Sequence, residues 1–388
     1  MNKTILGLFI FNCCYMAATG FVLPILPLYV LEFGVDVITM GPLWTAISLI
    51  GLIMAPLWGS VSDKYGRRLF HVIGGALTLS FICVLYALAV NLQQIIILTV
   101  LWAALGSSQS FPIFMTIVSE LTGTEEQGRV MGFFWMGGSI GWSFSVSLSG
   151  AIIEKFGIRE CFFPPAILYL LSAVLSKVMI DEHSGKVKRR RVDFMEAMKS
   201  SKWCNLNFII FWLATICFFI SETVKNSYIL VFFKQELGLD DALATFLFSL
   251  TGWVEIPILP FFGFLSDRIG RKLVILLGLF SSFLFNISVS LLQDLAQVIL
   301  IVIPLSGISW SAFASASSAL IGNLVEESHR AKAMSLYNSS RSIASVIAPS
   351  IMSIAILKTN FRIAFQFCAL IPFAGFLLIL VRFKLSKK

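Results

Sequence analysis

Twelve long apolar runs constrain this chain more than any other feature. They lie near 5–31, 41–61, 70–90, 94–118, 130–153, 161–180, 205–233, 243–265, 273–292, 298–324, 333–357 and 363–381, numbered spans 1 to 12 below. A bilayer crossing takes about 20 mostly apolar residues. In lipid such a run must satisfy its own backbone hydrogen bonds, which a helix does. The ten-residue alternation of a membrane β-barrel is not visible. The sequence therefore predicts an all-α integral membrane protein with twelve transmembrane helices.

Composition agrees: 57% of the 388 residues are hydrophobic and 13% are charged, against about 25% charged in soluble domains. The net charge of +8 does not read as a nucleic-acid face, because Lys and Arg fall in short clusters between apolar runs. With both termini cytoplasmic, only Lys155, Arg159, Lys234, Lys358 and Arg362 lie outside. Lys177, Lys225 and Arg341 lie within spans, and most of the 29 Lys and Arg are inside. That is the positive-inside pattern of a multi-pass plasma-membrane protein. The run 5–31 is longer than a signal-peptide core and reads as a retained first span. The seven cysteines sit in or beside apolar runs without metal-ligand spacing.

The long polar connection 181–203 carries a basic cluster at Lys186, Lys188 and Arg189 to Arg191. It suits a linker lying on the anionic inner leaflet. On either side the chain repeats. Glu32-Phe33-Gly34 matches Glu236-Leu237-Gly238 at an offset of 204, and Pro56 matches Pro260. Arg129-Val130-Met131 matches Lys332-Ala333-Met334 at 203. The expected domains are a six-helix bundle over 1–180, the linker 181–203, and a second six-helix bundle over 204–388. Two parallel repeats are a secondary-transporter layout, with the site near the repeat interface.

One phrase repeats almost in full: GSVSDKYGRR at 59–68 and GFLSDRIGRK at 263–272. Gly59 and Gly263 would let helix ends approach a neighbour. Asp63 and Asp267 would cap the following helices. Gly66 and Gly270 would permit a tight turn. Arg67, Arg68, Arg271 and Lys272 would anchor to the inner leaflet, with Glu120 a partner for Arg67. The phrase, twice in twelve spans, resembles the cytoplasmic-loop signature of the major facilitator superfamily. GFVLPILPLYVLEFGV in span 1 resembles its twelve-span drug-efflux branch. The resemblance implies alternating access around a cavity lined by spans 1, 4, 7 and 10. Two features depart from that branch. Its R-x-x-Q-G of span 4 is here Trp102-Ala-Ala-Leu105-Gly106, and Trp142 follows Gly141 where its span 5 has a G-P pair. NSYILVFFKQELGL and EIP, around spans 7 and 8, are faintly similar to sugar-efflux members.

Charges within spans are costly and mark candidate function. Glu222, Lys225 and Asn226 share one face of span 7, Glu255 is mid-span 8, and Arg341 follows Asn338 in span 11. Two readings of Glu222 stand: a proton carrier, or a static partner of Lys225 or Arg341. Glu255 is the second proton candidate. Arg341 is expected to stabilise an acid rather than bind an anionic substrate. On the helices that the resemblance assigns to the cavity, Asn12, Tyr15, Gln109, Phe111, Asn226, Tyr228, Trp310 and Asn338 are substrate candidates, the aromatics by stacking. The scattered His71, His183 and His329, and the lack of a phosphate loop, point to no enzyme and no ATP motor. No cofactor or metal is expected. The expectation is a monomeric, proton-coupled secondary transporter that exports small amphipathic or lipophilic compounds. Sugar or glycoside efflux, and a transporter-like membrane sensor, are the alternatives.

Overall fold

The computed structural model describes residues 3–65, 68–121, 127–179, 206–325 and 330–383. The linker 181–203, with Gly66 and Arg67 of the first signature copy, lies outside them, as does the side chain of Glu120. Among the described residues all regular structure is helical.

Each expected span falls on helix. Span 1 is broken into Lys3–Val22 and Ile25–Glu32, because Pro24 lacks the N–H that an unbroken helix needs. Span 2 is Val37–Tyr65, span 3 Arg68–Ala87 and span 5 Gln127–Phe156. Span 6 runs through Phe163–Met179, span 7 is Leu206–Glu236 and span 8 Asp241–Ile269. Spans 9, 11 and 12 are Arg271–Ser290, Arg330–Lys358 and Phe361–Arg382. Spans 4 and 10 are composite. Span 4 passes from Leu92–Leu101 through a π-helical turn at Trp102–Ser107 into Ser108–Leu121. Span 10 passes through a π turn at Val298–Val302 into Ile303–Leu324.

Among the described residues, eleven helices are long and apolar enough to cross a membrane. Gln127–Phe156, at 30 residues, has the length. Its run GGSIGWSFSVSLSG dilutes the apolar character with serine and glycine, residues that suit helix-to-helix contact better than lipid.

The chain forms two compact units. One holds Met1–Ser184 and Asn226–Trp253, the other Gly185–Lys225 and Val254–Lys388, within the described residues. The sequence repeat divides the chain at 181–203 instead, so spans 7 and 8 each contribute to both units. In the first unit, span 1 packs on spans 5 and 6, and span 3 on spans 4 and 6. In the second, span 9 packs on spans 10 and 12, the repeat's counterpart of span 3.

Small residues set how close these helices come. A Cβ at Gly141 would stand 2.1 Å from the Cys13 carbonyl oxygen, and one at Gly137 2.9 Å from the Phe9 ring. Gly278 similarly admits the backbone of Phe313. Gly59 and Gly263 behave differently. A Cβ at either meets nothing within 4 Å, so close approach is not why glycine stands there in this conformation.

Asp63 and Asp267 also depart from expectation. Each lies in the last turn of the preceding helix rather than capping the next, because the helical run continues through Ser-Asp. Asp63 reaches forward to Arg68 at 3.0 Å. Span 9 starts after Gly270, whose φ of 93° is a backbone state that only glycine takes without strain. Lys272 donates to the Phe383 carbonyl at 2.7 Å, tying the start of span 9 to the end of span 12.

Candidate functional site: a polar cluster among aromatic rings

The charged candidates of the second half gather on spans 7, 8, 10 and 11 of the second unit. Glu222 and Lys225 lie one helical turn apart, where side chains share a face. Glu222 Oε2 is 2.6 Å from Lys225 Nζ. Both are buried, at 7% and 4% exposure. Lys225 Nζ also donates to Ser306 Oγ on span 10 at 3.1 Å, and its ammonium lies 6.0 Å from the Phe285 ring centroid. Burial without a partner would be costly for either charge, so each holds the other.

Glu255 is placed differently. It is half-buried, and the charges acting on it are Lys225 and Glu222. Among the described residues no hydrogen bond or ion pair engages its carboxylate. Ser311 Oγ donates only to its backbone carbonyl, at 3.5 Å. Span 8 thus carries an uncommitted acid beside a neutralised pair.

Arg341 does not meet an acid. Among the described residues no carboxylate lies within 4.0 Å of its guanidinium, and Glu222 acts on it only at longer range. Its Cζ is instead 5.4 Å from the Phe219 ring centroid and 5.3 Å from that of Trp310, within cation–π reach of both. The expectation that Arg341 pairs with an acid is therefore corrected. Glu222 is already taken by Lys225, a turn away on its own helix.

The rings form a continuous group. Phe218 stacks on Phe313 at 3.8 Å, Phe219 meets Trp310 and Tyr337 at 6.4 and 6.1 Å, and Tyr337 stacks on Phe211 at 6.2 Å. Trp310 is half-buried and Asn338 is exposed. Sequence reasoning missed Phe211, Phe218, Phe219 and Tyr337. Phe219 stands three residues before Glu222, and Tyr337 four before Arg341. That spacing put them beside the charges, yet 36 phenylalanines hid the signal.

The first-half candidates form a separate polar–aromatic core. Asn12 is fully buried and Nδ2 donates to the Phe134 carbonyl at 2.7 Å, so it ties span 1 to span 5. Tyr15 bonds Ser110 at 2.8 Å and stacks on Phe111 at 5.4 Å. Gln109 Nε2 lies 3.2 Å from His71 Nδ1 on span 3. Of this group Phe111 is half-buried while Tyr15 and Gln109 are buried. Asn226 is exposed and Tyr228 buried, both in the first unit. Trp102 and Leu105, where the drug-efflux branch has Arg and Gln, lie within the π turn of span 4.

A polar cluster set among helices and lined by rings suits the passage of amphipathic molecules. Comparisons with known proteins agree with this architecture. The Major Facilitator Superfamily model matches residues 8–224 and again 211–388. Multidrug resistance protein MdtG of Proteus mirabilis is 23% identical over 387 residues, covering 97% of this chain and 95% of that one. MdtG of Enterobacter lignolyticus is 25% identical over 370 residues, covering 92% and 87%. A mutant form of the nucleoside transporter NupG superposes with a TM-score of 0.80 at 13% identity, over 98% of this chain and all of that one. With its twelve helical spans, twofold repeat and doubled loop signature, this chain belongs to the Major Facilitator Superfamily.

Proposed function

We propose that the protein is a proton-coupled exporter of small amphipathic compounds. It works as a monomer in the cell membrane with both termini cytoplasmic, its two repeat halves alternating access to a central site. The observation that carries the coupling is Glu255: a half-buried intramembrane acid whose carboxylate has no partner among the described residues. Intramembrane acids of this kind mark proton relays. The neighbouring Glu222–Lys225 pair shapes the field at Glu255. The proton enters on the Glu255 carboxylate from the outer side and leaves to water on the cytoplasmic side, and its loss or gain biases which face is open. The multidrug resistance relatives match over nearly the whole chain and support export of drug-like compounds.

Liposomes holding the full chain, with an imposed pH gradient and a neutral amphipathic dye, test the proposal. Wild type accumulates dye with the gradient. Glu255→Gln loses gradient-driven accumulation by at least about tenfold yet retains substrate exchange at equal pH. Undiminished gradient-driven accumulation in Glu255→Gln would remove Glu255 from the coupling.

A further inference from the structure

Arg341 has a feature that proton coupling does not use. A guanidinium in mid-span is expensive, and such groups are ordinarily paired. This one is exposed, although its Cζ lies within 5.4 Å of two ring centroids belonging to spans 7 and 10. Those rings face inward: Phe219 is 6% exposed and Trp310 half-buried. Arg341 thus combines an exposed guanidinium surface with two ring faces from spans 7 and 10. Among the described residues its five N–H donors find no hydrogen-bond acceptor, and the nearest interacting acid, Glu222, is spent on Lys225 at 2.6 Å. Tyr337, the other group acting on it, engages Ser317 through its hydroxyl at 2.7 Å. Asn338, exposed one turn earlier, adds a neutral donor and acceptor on the same helix.

A fixed, accessible guanidinium with free donors is built for a carboxylate, which it can grip through two parallel hydrogen bonds. Rings at both flanks offer flat apolar surface to whatever carries that carboxylate. We propose that Arg341, Phe219 and Trp310 form an anion-recognition subsite, and that the preferred substrates are amphipathic acids with a planar apolar body. This rests on the exporter reading and narrows its substrate class from amphipathic compounds in general to anionic ones. A cation would be repelled here, and a neutral compound would use the rings alone.

The test compares three ligands of one shape on the full-length protein in nanodiscs: naphthoate, naphthamide and naphthylmethylammonium, with calorimetry as the readout. Wild type binds naphthoate at least about tenfold more tightly than naphthamide, the increment of a charge-assisted bidentate contact. The ammonium binds most weakly. Arg341→Gln abolishes the preference, and an unshifted melting temperature in the same nanodiscs reports that the variant is folded. Arg341→Lys keeps a reduced anion preference, because it retains charge without the fork. An unchanged naphthoate-to-naphthamide ratio in Arg341→Gln, or tightest binding of the ammonium, overturns the subsite. Liposome flux separates this from the exporter reading. Export of naphthamide without any anion preference sinks the subsite alone. Anion-selective binding with no flux of any probe sinks the exporter reading and leaves the subsite standing.

Discussion

Glu222 and Lys225 close an ion pair of 2.6 Å within one turn of span 7, and Ser306 of span 10 takes a further ammonium hydrogen at 3.1 Å. The pair is intrahelical, so it persists however span 7 moves as a body. The Ser306 bond ties it to span 10, and the Phe285 ring of span 9 lies 6.0 Å from the ammonium. That arrangement supports a scaffold role for the pair, beside the proposed role of Glu255 in coupling.

Removing one partner should therefore damage folding more than chemistry. Glu222→Gln strands a buried ammonium and is expected to cost about 3–5 kcal/mol. The double variant Glu222→Gln with Lys225→Met removes the stranded charge and should recover most of that loss. Thermal unfolding in detergent checks both, and a double variant no more stable than the single one would contradict the scaffold role.

Gly141 and Gly59 should respond to alanine with opposite signs. At Gly141 the added Cβ meets a backbone oxygen at 2.1 Å, so spans 1 and 5 must part, at about 1–3 kcal/mol. At Gly59 and Gly263 the space is open, and alanine is a better helix residue than glycine by about 0.5–1 kcal/mol. Melting temperatures of Gly141→Ala and Gly59→Ala should move down and up respectively. A transport defect in a thermally stabilised Gly59→Ala would show that a second conformation closes over that glycine.

Ser221 accepts two hydrogen bonds at once, from Ser282 Oγ and Asn286 Nδ2, both at 2.7 Å. All three are buried. Ser221→Ala takes the acceptor from the Ser282 hydroxyl and from one Asn286 N–H, the other being held by the Ser282 carbonyl at 2.8 Å, and is expected to cost about 1–3 kcal/mol, whereas Ser221→Thr keeps the acceptor. Stability of the two variants, measured side by side, distinguishes a lost acceptor from simple crowding.

Asp63 and Arg68 form a pair of a different kind. Asp63 has a side-chain exposure of 58% but Arg68 one of only 9%, so the pair is half solvated and holds a largely buried guanidinium. Asp63→Asn takes the charge from that guanidinium's partner and should cost about 1–3 kcal/mol. If the signature also holds one conformation of the transporter in place, the same variant alters the transport rate at saturating substrate. An equal loss of stability and rate would instead make it a folding element.

Much of this architecture could be read from the residues. Span positions followed from apolar length alone, and the offset between halves predicted matching turns. Gly34 and Gly238 bear this out with φ of 80° and 64°, a conformation preserved across the repeat while the side chains around it diverged. Other features resisted reading because they depend on where a helix stops. Asp63 was expected to cap span 3, but nothing in Ser-Asp ends span 2, so the carboxylate stays inside it. The site was half legible. A charge at mid-span is conspicuous, and the spacing of Glu222 and Lys225 gave their pairing as one option. The separation of Arg341 from every described acid was invisible, since it depends on which faces of spans 7, 8 and 11 meet.

The π turn at Trp102–Ser107 gives span 4 a store of rotation. Each α-helical residue advances about 100° around the axis, so a turn holding one residue more than its neighbours can tighten by passing that residue along. The residues it passes would then swivel by roughly that angle. Ser108, Gln109, Ser110 and Phe111 all lie just past the turn. One local rewinding would exchange the contacts of Tyr15 and His71 for a new set, with no displacement of the helix ends.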